Sequence, residues 1–177
     1  MHDAPTSSPF RRSDVLLAVL LLVVAGGFVS RFAAIGFEEA VAELRDGDAD
    51  RERRRLCLQV IRERGLARAA ADANDLRAAE LAAAAALLLQ DEPAWRTAVG
   101  LAGSRSPLLP GGRGKADPVR LAEAALGEPA LESLFRGFAA QTAGQVEAAR
   151  EEWLAAARSA RLSRDALVER VASAALH

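Results

Sequence analysis

Two kinds of apolar patterning divide the chain. Residues Val15 to Ser30 read VLLAVLLLVVAGGFVS, an uncharged run without period, closed by Asp14 on one side and Arg31 on the other. Beyond residue 37, apolar positions recur every three or four residues between charged ones, the spacing of helices with one buried face. No stretch there alternates with the period of a strand, and β-branched residues are sparse.

Punctuation sets the helix ends. Asp46-Gly47-Asp48 breaks one helix near 46. Gly65 marks a break or kink after a helix from about 49 to 64, and Asn74-Asp75 ends the next. Asp91-Glu92-Pro93, Asp117-Pro118 and Glu128-Pro129 each place a proline in a first turn, where its missing N–H has no intrahelical partner to lose. Gly144 turns the chain between two helices, and Ser163 is the expected N-cap of a last helix to about 176. The stretch between Gly103 and Asp117 holds two prolines and three glycines and forms the one long loop. The expectation for 37–177 is an all-α domain of antiparallel helix hairpins.

The uncharged run predicts a membrane segment. Sixteen residues span roughly 24 Å as a helix, short of a hydrocarbon core of about 30 Å. The run resumes as FAAIGF after Arg31, whose stem can carry its charge to the headgroups, so a span of 14–36 is long enough. Arg11 and Arg12 precede it and Glu38 and Glu39 follow, which orients residues 1–13 to the cytoplasm and 37–177 outward. Cleavage at Val23-Val24-Ala25 or Ala25-Gly26-Gly27, as in a signal peptide, is the alternative, and both readings export the domain.

Composition narrows the function. The chain has 177 residues and a net charge of −1, so there is no basic excess to neutralise phosphates, and nucleic acid is not an expected partner. The single cysteine, Cys57, excludes a disulfide scaffold and reads as a small core residue. His2 and His177 stand at the two ends, too far apart in sequence for a histidine triad or metal cluster, and no metal or cofactor is expected. Gly111-Gly112-Arg113-Gly114-Lys115 lacks the strand before and the hydroxyl residue after that a phosphate loop requires. Arginines at 51, 53, 54 and 55, interleaved with Asp48, Asp50 and Glu52, read as a salt-bridged helix face, with lipid headgroups as the alternative. Alanine and arginine usage points to a bacterial genome rich in G and C.

Small residues recur at fixed intervals. From Ala130, Gly137, Gly144, Ala149, Trp153 and Ala156 follow at steps of 7, 7, 5, 4 and 3, and Ala67, Asn74, Ala79, Ala83 and Ala86 repeat the later steps. This spacing resembles the tetratricopeptide repeat, in which a small residue lets two helices approach, a turn follows, and a small and a bulky residue pack back. The family's tryptophan and leucine before Gly137 are absent, with Ser133 and Arg136 there, and Ala140 replaces its tyrosine. Asn74 and Gly144 lie 70 residues apart, close to two repeat lengths, which assigns the Trp95 helix, the loop and the helix at 118–126 to a degenerate middle repeat. A generic alanine-rich bundle is the competing architecture.

The resemblance implies a groove for a partner peptide, lined by Arg64, Arg68 and Asp72 in one unit and by Leu134, Phe138, Gln141 and Thr142 in the last. Arg64 and Arg68 share a helix face and together suit a carboxylate. The function expected is a non-enzymatic, single-pass adaptor of a bacterial inner membrane whose periplasmic domain binds another envelope or membrane protein. The rival is a structural accessory subunit of a membrane complex, held mainly through its span.

Overall fold

Acidic side chains and first-turn prolines open most of the helices in the structure, a computed structural model that describes residues 35–47 and 49–177. Helix α1 (Phe37–Asp46) begins where the Glu39 carboxylate accepts the Gly36 amide at 3.2 Å. At α2 (Arg51–Ala71), Asp50 accepts from the Arg53 amide at 2.8 Å, and at α3 (Leu76–Leu88) Asp75 accepts from Ala78 at 3.0 Å. Asp91 caps α4 (Glu92–Ala102) through Ala94, and Asp117 caps α5 (Pro118–Ala124) through Val119. Each cap satisfies an amide that the first turn leaves without a partner. Then come α6 (Pro129–Thr142), α7 (Val146–Ser163) and α8 (Ala166–Ala175). Among the described residues the chain is all-α, with one short 3₁₀ turn at Gly103–Arg105 and no strand.

The expected tail 1–13 and span 14–36 lie outside the described residues, apart from Ile35 and Gly36. Among the described residues no helix is long and apolar enough to cross a membrane. Gly36–His177 forms one compact unit.

At the centre of that unit is α3. Its residues Ala78 to Leu87 are buried without a break, because α2, α4, α5 and α8 all pack on it. Alanine makes this possible: five in a row, Ala82 to Ala86, add little bulk on any side of the helix. α2 lies along α3 and contributes Cys57, Leu58, Val60 and Ile61 to the core, with Phe37, Ala40, Val41 and Leu44 from α1.

Gly65 does not break α2. It sits mid-helix, where a Cβ would come within 2.9 Å of the Ala78 carbonyl oxygen and 3.0 Å of Ala82 Cβ. A helix interior tolerates glycine at a cost of about 1 kcal/mol relative to alanine, and here that glycine lets two backbones touch. The repeat spacing assigned this part to Ala67, which is exposed instead; Gly65 and Ala69 face inward. Asn74 lies in the turn, and Ala79, Ala83 and Ala86 are buried.

α6 and α7 pack against each other as a hairpin. Gly137 meets Trp153 directly, since a Cβ there would overlap the indole ring. Ala149, Trp153 and Ala156 are buried, and Gly144 holds the turn with φ 77°. α8 folds back on α7 and also touches α3 and α6. Its start differs from the expected Ser163 cap. Ser163 ends α7 and bonds the carboxylate of Asp165, Arg164 takes the left-handed conformation, and α8 begins at Ala166.

The middle segment is not a hairpin with a long turn. α4 packs on α3 and α2, whereas α5 packs on α3 and α6. The loop between them is partly core: Ser106, Pro107, Leu108 and Leu109 are buried. Trp95, on α4, is buried as well.

Candidate functional site

The residues expected to line a groove fall into two separate groups. Arg64, Arg68 and Asp72 are exposed on α2 or at its C-terminal end. Leu134 and Phe138, by contrast, are 0% and 3% exposed and belong to the core. Phe138 stands edge-on to Trp153, centroids 5.6 Å apart at 62°. The reason is register: α6 presents one apolar face, and α7 covers it, so the same positions cannot also face a partner. From this group Gln141 is exposed and Thr142 half-exposed; the Thr142 hydroxyl donates to Ala139 O at 2.8 Å and to Gly114 O in the loop at 3.3 Å. The indole N–H of Trp153 has no hydrogen-bond partner among the described residues, so apolar packing area carries this contact.

Arg68 does hold a carboxylate, but one from its own chain. Its guanidinium donates to Glu38 Oε1 at 2.8 Å and to Asp75 Oδ2 at 3.0 Å. Arg77 grips both oxygens of Glu38, at 3.0 and 2.8 Å, and both of Glu123, at 2.8 and 2.6 Å. The Phe37 ring lies beneath both arginines, 4.7 Å from Arg68 Cζ and 5.8 Å from Arg77 Cζ, in cation–π contact. Two arginines against three carboxylates leave no positive surplus. The Arg77 hydrogen bonds, with those of Arg68, hold Glu38 below the usual glutamate range, and Glu123 and Glu38 in turn raise Arg77. The cluster joins α1, α2, α3 and α5.

Beside it lies a second buried polar junction. Glu80, 1% exposed, accepts the Ser106 hydroxyl at 2.5 Å and Arg120 Nη2 at 2.7 Å. Ser106 Oγ also accepts the Leu108 amide at 3.2 Å. A buried carboxylate needs such partners, and these tie the 103–117 segment and α5 to α3. Ser106 is fully buried and its hydroxyl both donates to Glu80 and accepts from Leu108, so the Ser–Glu contact is a strut and not an accessible nucleophile. The sequence signal was present: Arg77 and Glu80 are the only charges between Leu76 and Leu89.

In the arginine-rich start of α2, Arg53 and Arg54 are paired, as is Arg62 further along the helix. Arg53 makes a bidentate contact with Glu43 at 2.7 and 2.8 Å, Arg54 meets Glu128, and Arg62 meets Asp91 at 2.9 Å. Arg53 holds Glu43 below the ordinary range. Burial, reinforced by the Glu43 charge, pushes the nearby Cys57 thiol up to about 11. That thiol is protonated at neutral pH, the condition of an inert core cysteine. Among the described residues no group of three or more His, Cys, Asp or Glu side chains is placed to hold a metal ion.

No protein-family model, curated protein or solved structure matches the chain.

Proposed function

We propose that residues 37–177 form a protein–protein interaction module of tetratricopeptide-like hairpins, without catalytic activity of its own. Residues 14–36 anchor it in a bacterial inner membrane, with the domain in the periplasm and another envelope protein as its partner. The observation that supports this reading is the α6–α7 hairpin: Gly137 lies under Trp153 and Gly144 takes a left-handed turn, at the intervals that mark the repeat. The partner-facing surface is drawn back to the exposed members of the expected groove, Arg64, Arg68 and Asp72 at the C-terminal end of α2 and Gln141 on α6.

Site-specific photo-crosslinking in cells tests it. With the crosslinker at Arg64 and at Gln141, one heterologous envelope protein should be captured from both positions and from neither in a chain lacking 37–177. Capture solely from positions within 14–36 would overturn the adaptor reading and favour an accessory subunit held through its span.

A further inference from the structure

Helix α7 has an outer face whose charges and exposed leucines find no partner within the described chain. Among the described residues four large apolar side chains stand exposed, and three are on this helix: Val146 at 67%, Leu154 at 42% and Leu162 at 87%. Glu147, Glu151, Leu154, Arg158 and Leu162 follow one another at steps of 4, 3, 4 and 4, which places them in one stripe along the helix. All five are exposed, opposite the buried Ala149, Trp153, Ala156 and Ala160. Among the described residues Glu147, Glu151 and Arg158 form no ion pair; Arg158 donates to the Leu154 carbonyl of its own helix at 3.2 Å. On α2 and α3, by contrast, Arg53, Arg54, Arg62, Arg68 and Arg77 all reach acids outside their own helix.

The order of the charges identifies what fits. Within the stripe itself acids occupy the N-terminal half, a leucine the middle, and arginine with a second leucine the C-terminal half; Arg150 and Arg161 flank it, and Arg161 is paired with Glu169 of α8. A stripe of that polarity is complementary to itself after a half-turn. We infer that α7 is a homodimer contact, in which a second copy of this chain lies antiparallel against the same stripe. With the two-fold axis between Leu154 and Ala155, Glu151 of one copy faces Arg158 of the other, and the reverse pair forms by symmetry. Glu147 then lies beside Leu162 of the second copy. The two Leu154 side chains cover the axis, where Ala155 lets the helices come close. A parallel arrangement would set acid against acid and arginine against arginine, which excludes it. This contact lies on a different helix from both Arg64 and Gln141 and does not depend on the adaptor reading.

Charge reversal tests it in the purified full-length chain, held in mild detergent and followed by sedimentation velocity. The unmodified chain should be a dimer. Arg158→Glu and Glu151→Arg should each weaken the dimer by about tenfold or more, because each reversal creates two like-charge pairs across the axis. Mixing the two single variants should restore a dimer, since one copy then presents only arginines and the other only glutamates. The double variant Glu151→Arg/Arg158→Glu should dimerise by itself. A monomeric unmodified chain, or a dimer that neither reversal weakens, would overturn the proposal.

Discussion

The two long hairpins reach close packing by opposite means. In α2–α3 the helices approach through Gly65 and a run of alanines, and charged residues at the rim reach outward to α1, α4 and α5. In α6–α7 one tryptophan fills the gap over Gly137, and among the described residues no ion pair links the two helices. Alanine packing buries little area per residue, so an alanine-rich pair gains its stability from being covered on every side and tied at its edges. A pair built on a large aromatic concentrates its stability in one side chain. Disturbances to the two hairpins should therefore differ in size, in salt sensitivity and in pH dependence.

The largest effect is expected from Trp153→Ala. Removing the indole leaves Gly137 facing a void and strips Phe138 of its edge contact, at a cost of about 3–5 kcal/mol; urea denaturation should show it. Arg120→Met comes next. It leaves the carboxylate of Glu80 in the core with Ser106 as its remaining side-chain partner, and should cost about 2–3 kcal/mol. That loss should persist in high salt, which would separate it from the exposed pairs of α2. Gly65→Ala gains helix propensity but drives a methyl into the Ala78 carbonyl and Ala82, for a net cost of about 1–2 kcal/mol. A neutral or stabilising result would show that α2 and α3 can part without penalty, and would remove the contrast drawn between the hairpins.

The smallest effect is the most specific to one region. The Glu38 carboxylate is held below its ordinary range in the folded chain, chiefly by Arg77, and Glu43 likewise by Arg53. Groups lowered by folding stabilise it above the ordinary glutamate range, and that contribution is lost as pH falls through the range and below it. Amide exchange of α1 should therefore quicken on acidification before that of α6 and α7. In Arg77→Met, much of this difference should disappear already at neutral pH. Equal acceleration in all helices would mean that the Glu38 cluster does not hold α1 in place.

Local signals were readable where a residue's own chemistry decides the outcome. Asp75, Asp91 and Asp117 cap helices because a carboxylate meets free amides wherever a helix begins, and Gly144 turns the chain because little else tolerates its φ. Gly137 and Trp153 were readable because they pair within one hairpin. Gly65 reads as a break or kink in the sequence yet lies inside one continuous helix: a glycine inside a helix and one ending it look alike until the neighbouring helix is known. Phe138 was assigned to a groove because periodicity shows that a face is apolar, not which partner covers it. Arg77 and Glu80 stand out as lone charges in an apolar helix, but the partners that complete the Glu38–Arg77–Glu123 and Glu80–Ser106–Arg120 clusters are out of reach of sequence, because the bonded pairs lie 26 to 46 residues apart in the chain.

One small hydrogen bond ties the middle of the domain to its C-terminal helix. The Gln90 side chain, in the turn between α3 and α4, accepts the Leu167 amide at 2.8 Å and so caps α8 from 77 residues away. α8 has no side-chain cap of its own. A growing chain therefore presents an unfinished surface on α3 until the last helix has been synthesised, and completion of the fold waits on that late arrival. Chaperone contact or proteolysis during biogenesis is most consequential in that interval, and a chain truncated before Ala166 would remain in it permanently.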